Sequence, residues 1–251
     1  MTTWLAGAVD GARLFLWDEQ ADSPRHIALE GADAQTLMAR ELATTGAERA
    51  VLAAADGPAR HIPCKATATT EGPAQQIRLL PKLVQNHPPV TAHPREVALI
   101  AGLLKAQPQF DGVIAMTGET TLWAQISAEE VVSVTRSATG RLFAAFGGGA
   151  PLPPDAEFDA ALSETRARPE RLMRALATPA LSRQALLGSL IGAELSDTRP
   201  WWLGQRVLTF GPFAQALTHA LAQQGAAATE GAADHALRAG LLSAFTNWNP
   251  A

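Results

Sequence analysis

The 251-residue chain contains one cysteine and no tyrosine, and only 18% of its residues are charged. With Cys64 alone, no internal disulfide can form, and a thiolate zinc site lacks its ligands. The formal net charge is −4 and no block of lysine and arginine stands out, so nucleic acid is not an expected partner. No apolar run approaches the ~20 residues that cross a bilayer, so no membrane partner is expected either. The opening residues Met1 to Ala8 lack a basic stretch followed by a long apolar one; no signal peptide is expected, and cytoplasm is the default compartment. Also missing are a Walker A box, a strand-to-helix G-x-G-x-x-G, G-x-S-x-G, H-E-x-x-H and C-x-x-C. These absences remove the common hydrolase, zinc-protease and Rossmann readings and supply no positive one.

What is present is ordinary globular composition, 47% hydrophobic, at a length suited to one large domain or two smaller ones. Residues 4–17 read as a β-hairpin: Trp4-Leu5-Ala6 and Leu14-Phe15-Leu16-Trp17 flank Gly7, Asp10 and Gly11, which are turn chemistry. A helix is predicted over 33–45 from the stripe Leu37, Met38, Leu42, then a short buried strand over 49–54 ending at Asp56-Gly57-Pro58. Residues 61–89 are loop-rich, with short extended pieces such as 76–80. A helix over 94–105 carries Val97, Ile100, Ala101 and Leu104 on one face, with Pro94 in its first turn. Pro108 and Gly112 then break the chain, which divides it into an N-terminal lobe, 1–111, and a C-terminal lobe, 112–251.

The second lobe restarts with a strand over 112–116, a turn over 117–121 and a strand over 122–126; residues 131–134 offer a third. Each half therefore opens with strand, glycine turn and strand, the weak echo of two related α/β halves facing a cleft. Helices are predicted to begin at Thr139 and Asp155, the latter a natural N-cap, and over 172–177, 182–195, 213–224 and 232–245, with a strand over 206–211.

Glycine turns at strand ends can present backbone N–H groups to phosphate oxygens, and Gly7 to Gly11, Gly118 to Thr121 and Gly211-Pro212 are the candidates; each also reads as an ordinary turn. Asp10 and Glu96 are the acids nearest such sites, and phosphoryl transfer needs Mg²⁺ and carboxylates; a turn residue and a solvated helix face are the plain alternatives. Arg13 is a charge within an apolar strand, suited either to solvent or to holding a carboxylate. The histidines have no metal spacing, and no metal ligands can be chosen. Glu194 reads as partly exposed or held by a neighbour. Trp201-Trp202 reads as packing or an interface patch, which leaves a homodimer open.

The order of segments resembles the 2-dehydro-3-deoxygalactonokinase family of the actin-like ATPase and sugar-kinase superfamily. Leu187-Gly188-Ser189-Leu190-Ile191-Gly192-Ala193-Glu194 is similar to its "GLLIGAE" helix, and residues 155–162 to its "AFxxGL" segment. Leu208-Thr209-Phe210-Gly211 stands where the family has an apolar strand ending in glycine near adenosine. Ala236-Leu237-Arg238-Ala239-Gly240-Leu241 is similar to the terminal "AxxAGL" helix, and residues 138–143, with Gly140, to "MTGELF". Gly118-Glu119-Thr120-Thr121-Leu122-Trp123 matches "GTHSKW", the second phosphate-binding turn.

The departures fall on the chemistry. Against "IDWGTTNLR" the chain has Leu5-Ala6-Gly7-Ala8-Val9-Asp10-Gly11-Ala12-Arg13: Ala6 occupies the aspartate position, Ala8 the first glycine position, and Arg13 is kept. Thr120 and Leu122 replace the histidine and lysine of "GTHSKW", Arg141 replaces the glutamate of "MTGELF", and of "RGEET" only the second glutamate remains, as Glu96 after Arg95. "GMIGSRxGW" is reduced to residues 54–60.

The resemblance implies two ribonuclease-H-like lobes about a central cleft and ATP-dependent, Mg²⁺-assisted phosphorylation of 2-dehydro-3-deoxygalactonate or a close relative. Its partners would then be a small sugar acid and a nucleotide. By position, Asp10, Arg13 and Glu96 would serve the acceptor side, while Gly7, Gly11, Gly118, Thr120, Thr121, Gly140 and Gly211 would serve the nucleotide. Loss of the metal-associated aspartate implies the alternative of an impaired relative that binds nucleotide, sugar acid or a partner protein.

Overall fold

The computed structural model describes residues 3–19, 21–54, 57–66, 70–71, 75–178 and 181–246. Asp56, in the turn expected after the second buried strand, lies outside them. The elements begin with β1 (Trp4–Asp10), β2 (Arg13–Asp18), β3 (Arg25–Ala28), α1 (Ala34–Thr45) and β4 (Arg49–Ala53). Short strands follow: β5 (Ala59–His61), β6 (Cys64–Lys65), β7 (Thr70–Glu71), β8 (Ile77–Leu79), β9 (Lys82–Gln85) and β10 (Val90–Ala92). Next come α2 (Pro94–Ala106), β11 (Gly112–Met116), β12 (Thr121–Ser127), β13 (Glu130–Ser137), α3 (Thr139–Ala145) and α4 (Ala156–Ala167). The chain continues with α5 (Leu172–Leu176), α6 (Arg183–Asp197), α7 (Arg199–Trp202), β14 (Arg206–Phe210), α8 (Ala214–Gln223), β15 (Ala227–Glu230) and α9 (Ala233–Thr246).

These fall into two compact units. The first holds residues 1–110, 127–133 and 232–251, the second 111–126 and 134–231. One crossing between the units falls after Phe110, where the sequence suggests a division at 111/112. The others arise because residues 127–133 and the last helix join the first unit: α9 packs on α2, burying Leu237 and Leu241 with Ala98.

In the first unit β1 and β2 form the expected hairpin, with Asp10 opposite Arg13 and Gly11 in the left-handed region at φ 56°. Two central residues with positive φ at the first of them suit the right-handed twist of a tight hairpin. The sheet order is β3-β2-β1-β4-β8-β7, with β1 antiparallel to β2 and parallel to β4, and β4 parallel to β8. Side chains alternate across it. Leu5, Leu14 and Leu52 face Leu37, Met38 and Leu42 of α1 on one side; Ala6, Ala8, Trp17 and Val51 meet α2 and α9 on the other. Asp33 caps α1 by accepting from the Thr36 N–H at 2.8 Å. A smaller sheet runs β10-β9-β5, and β6 pairs with the start of β13.

The second unit repeats the plan. Its sheet runs β15-β14-β11-β12-β13, with β11 antiparallel to β12 and parallel to β14, and β14 parallel to β15. The order β13-β12-β11-β14-β15 thus matches β3-β2-β1-β4-β8, the ribonuclease-H-like arrangement. Its core joins Val113, Trp123, Phe143, Phe158, Leu187, Leu190 and Val207. Asp155 caps α4 and Ser182 caps α6, as expected. The edge strands β3 and β15 were not legible, because their residues are largely exposed and lack an apolar alternation, nor was β10, which is only three residues long.

Candidate functional site

The first unit's candidates gather at the end of its hairpin and the start of α2. Asp10, half exposed, closes β1 and pairs with Arg95 at 3.4 Å. Arg13 opens β2 and is exposed. Glu96 turns back toward its own helix, where its Oε2 accepts from the His93 N–H at 2.7 Å in a capping box. Gly7 does not stand in the turn. It lies inside β1, buried and paired with Leu16 and Leu52, and a side chain there would meet Met38, so it is a packing position with its N–H turned into the ladder. Gly11 alone of the two glycines occupies the turn, with open space above its Cα. Ala6 and Ala8, at the positions of the departures, are fully buried among Trp17, Val51, Ala98 and Leu237.

The second unit's candidates surround the turn between β11 and β12, and here the structure brings several together. Gly118 has open space above its Cα, the nearest atom to a built Cβ being the Thr120 carbonyl at 3.7 Å. The turn is gripped on both flanks. On one, the Thr117 N–H donates to the Phe210 carbonyl at 2.7 Å, and its hydroxyl both donates to that carbonyl at 2.8 Å and accepts from the Phe213 N–H at 3.0 Å. Gly211 sits there at φ 97°, where a side chain would lie 2.0 Å from the Thr117 carbonyl; only glycine meets both conditions. On the other flank, a side chain at Gly140 would lie 1.9 Å from the Gly118 carbonyl, and the Arg141 N–H donates to the Glu119 carbonyl at 2.5 Å. Gly140 and Gly211 are therefore glycines of close approach that hold the turn's backbone. The Thr120 hydroxyl accepts from Arg136 at 2.7 Å, and the buried Thr121 hydroxyl points inward.

What Thr121 reaches is Glu194, for which the sequence offers partial exposure or a neighbour's hold; the second is found. It is 5% exposed, in the middle of the apolar face of α6. The Trp123 indole N–H donates to its Oε1 at 2.8 Å, and the hydroxyls of Thr121, at 3.4 Å, and Thr139 both donate to its Oε2. Burial pushes the carboxyl above the usual carboxylate range, and the three donors pull against that. Thr117, Trp123, Thr139 and Arg136 were not singled out from the sequence. The signal available was one glutamate ending an otherwise apolar Leu-Ile-Gly-Ala run. Trp202 is buried, its indole N–H donating to the Leu195 carbonyl at 3.0 Å, and Trp201 packs on the same core, so the pair serves packing.

A nucleotide's phosphates would meet the second-unit turn at Gly118, where there is open space above the Cα and Gly140 backs the carbonyl. For a protein-held Mg²⁺ the first unit does not fit. Its hairpin carboxylate, Asp10, already faces the Arg95 guanidinium, and the neighbouring family position is a buried alanine. Among the described residues no group of three or more His, Cys, Asp or Glu side chains could hold a metal ion. Nor is any described helix long and apolar enough to cross a membrane.

Among curated proteins none matches the sequence. The solved structures include a similar one, a proposed 2-dehydro-3-deoxygalactonokinase from Sinorhizobium meliloti, 22% identical, with a TM-score of 0.82 over 98% of this chain and 99% of that one. That likeness shows that the two chains share a fold over nearly their whole lengths. More distant are the ethanolamine utilization protein EutJ from Carboxydothermus hydrogenoformans, at 14% identity, a TM-score of 0.44 and coverage of 96% and 89%, and a proposed N-acetylglucosamine kinase from Porphyromonas gingivalis, at 10%, 0.41, and coverage of 95% and 98%. The sequence pattern of the 2-keto-3-deoxy-galactonokinases matches residues 43–244, a span that includes the Gly118 turn, both of its glycine flanks and Glu194 but not the β1–β2 hairpin. The chain is a member of the 2-keto-3-deoxy-galactonokinase family.

Proposed function

We propose that this protein is an ATP-dependent kinase that phosphorylates 2-dehydro-3-deoxygalactonate or a close 2-keto-3-deoxy sugar acid. The observation that carries this reading is that the family match runs through the clamped turn and everything that clamps it. A loop whose amides are fixed before the ligand arrives stabilises developing negative charge without reorganising, which is the larger part of phosphoryl-transfer catalysis. In this reading Gly118 and Thr120 lie against the phosphates, and Gly211, beside the end of β14, lies near adenosine. Gly140 and Thr121 support the turn from behind. Arg13 serves the acid's carboxylate, which a planar guanidinium binds in bidentate fashion. Glu96 orients the start of α2, Asp10 lies on the acceptor side, and Gly11, in the hairpin turn, serves the nucleotide. Any Mg²⁺ would take its ligands chiefly from nucleotide oxygens and water.

A second reading is favoured by one specific feature. Ala6 is buried where the family pattern has aspartate, and Asp10 is paired with Arg95. These suit a relative that binds nucleotide or sugar acid without turning it over. Titration calorimetry with ATP–Mg²⁺ and with the sugar acid, run beside a coupled ADP-release assay, separates the two. Binding with turnover supports the kinase; binding of either ligand without turnover supports the second reading; binding of neither removes both.

A further inference from the structure

Glu194 is a carboxylate in a place where an apolar residue would pack more simply. Its helix buries Leu186, Leu187, Leu190, Ile191 and Leu195, and replacing a buried ionisable group by a hydrocarbon of similar volume is often neutral or stabilising. Core packing therefore does not account for it, but the position of its three donors does. Thr121 is the last residue of the Gly118 turn and the first of β12, and Trp123 follows two residues on, on the same face of the strand. Thr139 is the first residue of α3 and immediately precedes Gly140, whose backbone lies against the Gly118 carbonyl. One carboxylate oxygen, Oε2, thus takes a hydroxyl from the exit strand and one from the supporting helix on the Gly140 flank. The opposite flank is fixed independently through Thr117.

We propose that Glu194 is the positioning residue of the phosphate turn: by holding Thr121 and Thr139 on one oxygen it sets the spacing between β12 and α3, and so fixes the Gly118–Thr120 backbone for a nucleotide without touching it. This rests on the kinase reading given above. The glutamine amide keeps the volume but reverses one contact: with an NH₂ in place of Oε2, the Thr121 and Thr139 hydroxyls must turn from donating to accepting, and their own hydrogens lose the acceptor they share.

The test compares wild type with Glu194→Gln and with Thr139→Val, which removes one hydroxyl at nearly constant volume and serves if the first variant fails to fold. Three quantities are read: the dissociation constant for a non-hydrolysable ATP analogue with Mg²⁺, the dissociation constant for the sugar acid, and amide hydrogen exchange along the turn. The expected result is a roughly three- to tenfold weaker nucleotide affinity, the size of one lost hydrogen bond. Sugar-acid affinity stays unchanged, protection is lost selectively at residues 118–121, and the Trp123 indole N–H resonance shifts in Glu194→Gln. A folded variant with wild-type nucleotide affinity, or one in which protection falls evenly across the second unit, overturns the proposal. If the wild type itself binds no nucleotide, the kinase reading falls and the proposal falls with it; nucleotide binding that both variants leave untouched overturns the proposal alone.

Discussion

At the scale of single residues, the two carboxylates closest to the turns behave oppositely. Asp10 and Arg95 are 54% and 32% exposed, and an ion pair so open to water contributes about 0–1 kcal/mol. Glu194 is enclosed, and desolvation, the largest influence on it, is reinforced by Asp197 one turn along α6. The linkage follows from the direction. A carboxyl whose folded pKa lies above its unfolded value binds its proton more tightly in the folded state. Its favourable contribution is complete below the ordinary carboxyl value of about 4.3 and is lost as pH rises from there through the raised folded value. Glutamine does not titrate. Urea midpoints measured from pH 4 to 8 should therefore show wild type losing ground to Glu194→Gln as pH rises. A difference independent of pH would mean that the donors, and not burial, govern this carboxyl. The sequence showed the glutamate but not its surroundings, since Thr121, Trp123 and Thr139 reach it across 55 to 73 positions of chain.

At the scale of elements, much was legible because local physics decides it. The stripe of α1, the proline start of α2 and the caps Asp155 and Ser182 appear where turn chemistry and periodicity put them. Which helix covers which was not legible. α2 and α9 cross so closely that a side chain at Gly102 would lie 1.8 Å from the Ala236 carbonyl, and one at Gly240 1.7 Å from the Ala98 carbonyl. Backbone cannot yield as a flexible side chain can. Gly240→Ala should destabilise by about 1–3 kcal/mol or more through forced separation of the helices, read as a lower urea midpoint with an unchanged slope. A neutral substitution would show that the two helices have freedom to part. The glycine turns show the same division. Gly118 was found from its place between two strands. Gly7 was assigned to a turn from its residue type alone, and the β1 ladder takes it instead. Gly140 and Gly211, named from the resemblance, pack closely against Gly118 and Thr117.

At the scale of the whole molecule, the strand–turn–strand opening of each half was a real sign of duplication, and the two sheets repeat one strand order. The return of residues 232–251 to the first unit was hidden, because nothing local in a helix says which distant surface it will meet. The family was legible from ordered segments, most of them in the matched span, while the hairpin that departs most lies outside it. A scaffold is specified by many weak agreements and survives the loss of several. Phosphoryl transfer depends on a few charges, and where the resemblance expects an aspartate the chain has Ala6, which is fully buried. The kinase reading is tested most directly by ³¹P magnetic resonance of the protein with ATP, Mg²⁺ and 2-dehydro-3-deoxygalactonate. The predicted result is ADP and a new phosphomonoester appearing in equal amounts, and only when the sugar acid is present. ATP that stays intact, or ADP and inorganic phosphate without a phosphomonoester, would contradict it.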